Sequence, residues 1–162
     1  MAGAGEFGGE PCEGIRYVTV EDLIHINTTL IKLQTPGEAL GVLKFDQLEA
    51  AQQRPVQFRY YAQTNDIFRI ASRFIAALIQ YHPFHNANKR TAATAGAIFL
   101  LLNGFELTGP GDQLIEILVG IATREYSEDD LECWLADWCR EYDAGELNVL
   151  IESALSKPLS AW

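Results

Sequence analysis

The sequence predicts an all-α domain, a compact helical bundle built around one central buried helix. Three observations carry that expectation. Apolar residues recur at three- and four-residue spacing in successive segments, the period of one helix face. Capping boxes stand at the head of several of those segments. No segment reads as a pair of alternating β-strands.

The elements follow in order. Residues 1–14 read as a flexible Gly/Glu tail. Thr19-Val20-Glu21-Asp22 is a capping box that opens VEDLIHINTTLIKL, where Leu23, Ile26, Leu30 and Leu33 form an apolar stripe. Pro36-Gly37 ends it, and TPGEALGVLKF follows as a connector. A purely solvated loop has no need of Leu40, Val42, Leu43 and Phe45, so this stretch either packs down as an ordinary loop or forms a gripping flap. Asp46 and Glu49 form a second box, whose short helix should end before Pro55.

In TNDIFRIASRFIAALIQY, residues Ile67, Ile70, Phe74, Leu78 and Tyr81 face the core. TAATAGAIFLLL is apolar nearly all round, which makes it the central helix, and Asn103-Gly104 stops it. QLIEILVGIAT is again amphipathic, and Ser127 with Asp130 opens DDLECWLADWCREY. One more short helix, GELNVLIESAL, is expected in residues 144–162.

Composition narrows the function classes. The 162 residues are 48% hydrophobic and 21% charged, with 12 Lys plus Arg against 22 Asp plus Glu and a net charge of −10. That balance argues against a nucleic-acid binder, which needs a basic face. The acid serves solubility or meets a basic partner. Cys12, Cys133 and Cys139 are too few and too irregular for a disulfide framework; Cys133 and Cys139 are expected as buried thiols, with a zinc site the weaker alternative. No secretory signal opens the chain and AGAIFLLLNG is too short for a bilayer, so the expected location is the cytoplasm, away from membranes.

Chemistry concentrates in residues 82–90, HPFHNANKR, between two core helices. The first N–H groups of the following helix lack intrahelical partners and carry the positive end of its dipole. Ala87 is small enough to let a ligand approach them, and Lys89 and Arg90 add charge, so the loop can cradle phosphate. His82, fixed by Pro83, is a candidate general base; a lone His before Pro is more often structural. Phe84 is the candidate apolar anchor of the loop. Asn88 either bonds a phosphate or caps the helix, and His85 and His25 read as surface or satisfied residues.

HPFHNANKR resembles the signature of the Fic/Doc superfamily, and NANKRTA resembles its Doc (death-on-curing) branch. Lys89 stands where Fic proteins have Gly, and Ala93 where they have a further Arg. RYVTVEDLIHIN, LLLNGFEL and ILVGIATREYS are similar to Doc in order and spacing, so the resemblance spans residues 15–143 and leaves 144–162 as an extension or tail. It implies that His82 activates a hydroxyl on a target protein, that Ala87, Asn88, Lys89 and Arg90 hold nucleotide phosphates, and that Leu40, Gly41, Val42 and Leu43 form the target flap. It further implies transfer of the terminal phosphate of ATP, with Mg²⁺, to a threonine of a translation factor of the elongation factor Tu class. Fic-type AMP transfer is the alternative. The implied partner is a Phd-type antitoxin whose disordered tail folds over the toxin. No inhibitory Ser/Thr-x-x-x-Glu-Gly/Asn motif occurs in the chain, which fits restraint by a partner.

One position departs from the pattern. Asn86 stands where the family has the acid that holds Mg²⁺, and an amide oxygen is a weaker, uncharged ligand. Either the ATP phosphates carry the metal with Asn86 assisting, or another carboxylate substitutes, or activity is weak or absent and the chain is a nucleotide- and partner-binding protein.

Overall fold

The computed structural model describes residues 8–162. Seven α-helices make up most of the described chain: α1 (Val20–Gln34), α2 (Phe45–Ala62), α3 (Ile67–Tyr81), α4 (Asn88–Leu102), α5 (Gly111–Thr123), α6 (Glu128–Trp138) and α7 (Leu147–Ser156). The all-α expectation holds. Both Thr19 and Ser127 form complete capping boxes, with Asp22 and Asp130 as their acidic halves. Asp66 caps α3 by accepting from the N–H groups of Phe68 and Arg69.

Helix α4 runs through the middle, buried on every face from Thr91 to Leu101, and ends at Asn103 with Gly104 in the left-handed region. Helices α1, α3 and α7 pack around it. Ile151 and Leu155 of α7 sit in the same apolar core as Phe74, Ile98 and Phe99. The α3–α4 contact is close because position 96 has no side chain: a Cβ there would overlap Cγ1 and Cδ1 of Ile75. Polar chemistry joins α2, α3 and α6. The guanidinium of Arg73, nearly buried, pairs with Asp129 at 2.7 Å, Glu128 at 3.2 Å and Glu132 at 3.4 Å, and lies 4.7 Å over the Phe58 ring.

Several expectations are corrected. Helix α2 does not end before Pro55 but carries it inside. The proline removes one ladder bond, and burial of Leu48, Ala51, Gln52 and Pro55, with the Gln52 amide donating to Val18 O at 3.0 Å, outweighs that loss. Short strand pairs do exist. β1 (Glu10–Cys12) pairs antiparallel with β2 (Ile15–Tyr17) through a turn at Glu13-Gly14, both with positive φ. β3 (Phe105–Leu107) pairs antiparallel with β4 (Cys139–Glu141), so the helix expected over DDLECWLADWCREY stops at Trp138, the end of α6. At three residues each, these strands are too short to display a period of two.

Cys133 is exposed because it lies two residues from both Leu131 and Leu135, on the opposite face of α6. Cys139 is half-buried, and burial pushes its thiol up to about 12. Of the expected stripe on α1, Leu23, Ile26 and Leu30 are buried; Leu33 is exposed and Ile31 is buried in its place, since the inward face also takes in Asn27 and Ile31. Of the tail expected over 1–14, residues 1–7 lie outside the described residues, and Arg59 holds the tip of the β1–β2 turn through Cys12 O and Glu13 O.

On helix propensity alone, Gly96→Ala would stabilise α4 by about 1 kcal/mol. The overlap with Ile75 predicts the reverse, a loss of about 1–3 kcal/mol in urea unfolding, partly recovered when Ile75→Ala is added. Equal or greater stability of the single variant would contradict the close packing.

Candidate active site

The loop between α3 and α4 is built from its two ends. His82 closes α3 in the left-handed region at φ 49°, and Ala87 precedes α4 in the same region at φ 61°. Neither is glycine, so both positions cost conformational energy that the surrounding contacts must hold. Phe84 supplies one such contact, with its ring 1% exposed in the core. Asn88 supplies the other: its Oδ1 accepts from Phe84 N–H and its Nδ2 donates to Phe84 C=O, each at 3.0 Å. A buried peptide unit without partners would be costly, and one amide satisfies both halves.

Asn27 is a residue that sequence reasoning missed. It lies buried on α1 and donates to Asn86 C=O at 2.9 Å and to Thr91 Oγ1 at 3.0 Å, tying the loop to α1 and to the first turn of α4. The signal was present: a lone Asn four residues after Leu23 and three before Leu30, inside an apolar face.

The connector 35–44 lies along this loop as a flap. Leu43 N–H and Lys44 N–H donate to Pro83 C=O at 2.8 and 3.0 Å, and His85 N–H donates to Gly41 C=O at 3.1 Å, around an antiparallel bridge between Val42 and Phe84. In that pattern the N–H and C=O of Val42 point away from the loop and have no partner among the described residues. Leu40 and Leu43 are about half exposed beside them. Arg90 binds the root of the flap, 2.9 Å from Glu38 Oε2 and 3.1 Å from Thr35 Oγ1. Asn86 Nδ2 donates to Ala39 C=O at 3.0 Å.

The expected phosphate residues therefore divide. Asn88 and Arg90 are engaged, one by Phe84 and the other by the flap. Lys89 is exposed and in no ion pair among the described residues. No side chain caps α4, so the N–H groups of its first turn remain open beside Ala87. His82 and His85 are both exposed, and the His82 imidazole has no hydrogen-bond partner among the described residues. The arrangement offers an open helix N-terminus that can take an anion, an exposed cation in no ion pair and an imidazole without a hydrogen-bond partner among the described residues, within one short loop.

A profile of the Fic/DOC family matches residues 17–100. The chain belongs to the Fic/DOC family. The match starts in β2, passes through α1, the flap and α3, and ends near the close of α4, so it contains every residue of the site just described. Among curated proteins, the protein kinase doc of Escherichia phage P1 is 28% identical over 120 residues, covering 70% of this chain and 87% of that protein. The similarity supports the Doc branch of the family.

The donor set for a metal is thin. Among the described residues no three His, Cys, Asp or Glu side chains converge to hold an ion. Asn86 can offer one uncharged oxygen, its nitrogen being turned to Ala39. These residues do not make a Mg²⁺ site by themselves.

Asn88→Ala removes both partners of the Phe84 peptide while leaving its ring in the core. The expected loss is about 2–4 kcal/mol in chemical denaturation, from two buried polar groups left unbonded. A loss below about 1 kcal/mol would mean that Asn88 does not hold the loop.

Proposed function

We propose that this protein is a Doc-like toxin that transfers the terminal phosphate of ATP to a Ser or Thr hydroxyl of a target protein, of the elongation factor Tu class, and that a Phd-type antitoxin restrains it. The observation that carries the reading is the uncapped N-terminus of α4, open beside Ala87 and flanked by the free imidazole of His82 and the ammonium of Lys89. Membership of the Fic/DOC family and the similarity to a protein named a kinase support the reaction class.

The chain's residues divide the work. The open N–H groups of α4 and Lys89 bind and orient the polyphosphate, offsetting its charge where transfer builds more. The outward N–H and C=O of Val42 pair with an extended segment of the target, while Leu40 and Leu43 take its apolar side chains. That pairing brings the target hydroxyl to the loop. His82 accepts the hydroxyl proton as the oxygen bonds the γ-phosphorus, and the β–γ bridging bond breaks to release ADP. Mg²⁺ entering with the ATP phosphates would supply further charge neutralisation, with Asn86 Oδ1 able to assist.

A second reading has one observation in its favour. Asn86 in place of the family acid fits a protein that keeps the nucleotide and partner surfaces without turnover.

The test is label transfer to bacterial extract protein from ATP labelled at either the α or the γ phosphate, with His82→Ala alongside. Label from γ that falls at least a hundredfold in the variant, with ATP binding retained, is the expected outcome, in line with loss of a general base. Label from α would make the protein an AMP transferase. No label from either, with ATP bound, would favour the binding-only reading.

A further inference from the structure

We infer that Asn86 is a positioning residue that clamps the flap over the loop, a task that its side chain can perform only as an amide. The loop grips the flap at successive points in antiparallel order. Arg90 holds Thr35 and Glu38, Asn86 holds Ala39, His85 N–H holds Gly41, and Pro83 C=O holds Leu43 and Lys44. Three of these grips come from backbone groups or from an arginine. The contact at Ala39 alone depends on whether position 86 is an amide or an acid.

The direction of that bond is decided by its partner. Ala39 offers a carbonyl oxygen, so the group facing it at 3.0 Å must donate, and the amide nitrogen does. A carboxylate there would set acceptor against acceptor. It would turn away from the flap, or push the flap off. The main chain of residue 86 cannot shift to compensate, because its own carbonyl accepts from Asn27, which is buried and also bonded to Thr91. One side chain at this position can thus serve as a full anionic metal ligand or as the donor that closes the flap, and not as both.

The consequence reaches the target. Residues 40–43 bond to the loop through backbone groups, the Val42 side chain packs against the core, and Leu40 and Leu43 are about half exposed. A flap already held at Ala39 presents the edge of Val42 in one place, which lowers the ordering cost when an extended segment pairs with it. Asn86 therefore acts on binding of the protein target. This consequence, unlike the clamp itself, rests on the proposed transfer reaction.

Amide hydrogen exchange of Leu43, Lys44 and His85, the three N–H donors that join flap and loop, tests the clamp in the full chain without any activity. Asn86→Asp and Asn86→Ala should speed exchange at those amides about fivefold or more, the equivalent of one lost hydrogen bond of about 1 kcal/mol, while the α4 amides of Ile98 and Phe99 stay protected. Unchanged exchange at the three amides would overturn the clamp. If the protein transfers label, Asn86→Asp should also raise KM for the target severalfold whatever happens to kcat; a loosened flap with unchanged KM would overturn the link to target binding. Absence of transfer by the unaltered protein would sink the catalytic reading and leave the exchange result standing.

Discussion

The two hydrogen bonds between the Asn88 amide and the peptide groups of Phe84 hold together everything that could do chemistry here. Phe84 is drawn inward by its ring, and that burial takes its N–H and C=O away from water. Asn88, at the first position of α4, reaches back and satisfies both. The loop is thereby closed into a compact arch, with Pro83 and His85 facing the flap and His82 and Ala87 forced into left-handed backbone at its two feet. Strain at those feet is tolerable because the arch between them is anchored in the core on one side and bonded to α1 and the flap on the others.

The electrostatic character of the site follows from which cations remain uncommitted. The chain is strongly acidic, at −10, so a polyphosphate meets an unfavourable field except where donors converge. Arg90 is neutralised by Glu38 and serves as the hinge pin of the flap. Lys89 and the first-turn N–H groups of α4 have no partner among the described residues, and the proposed function gives them the anion. Backbone donors suit this task because they are fixed before the ligand arrives and carry no side-chain entropy cost. Asn27, Asn88 and Arg90 hold the geometry of the loop and flap, and under the proposed function ligand contact falls to the groups between them.

Much of the fold was legible because α4 is apolar on all sides and because Thr19 and Ser127 announce their helices by reciprocal capping. What escaped was governed by contacts distant in sequence. Pro55 looked like a stop until packing against α3 outweighed one missing bond. The strands at Phe105 and Cys139 exist only because each finds the other across more than thirty positions, as the Arg140–Glu106 contact shows. Within the site, the loop and its chemistry could be read from HPFHNANKR, yet the partners of Asn86, Asn88 and Arg90 could not. An Asn or Arg beside a helix start fits a ligand and a structural neighbour equally well in one dimension, and only the fold decides between them.

The most direct measurement is an NMR titration of the backbone amides with ATP in the presence of Mg²⁺. The account predicts that the largest shifts fall on the amides of Ala87, Asn88, Lys89 and Arg90 at the head of α4 and disappear into baseline when ATP is replaced by adenosine. Shifts concentrated elsewhere, such as around Arg59 and Asn65 beside the β1–β2 turn, or none at saturating ATP, would contradict the claim that this helix terminus is the nucleotide site.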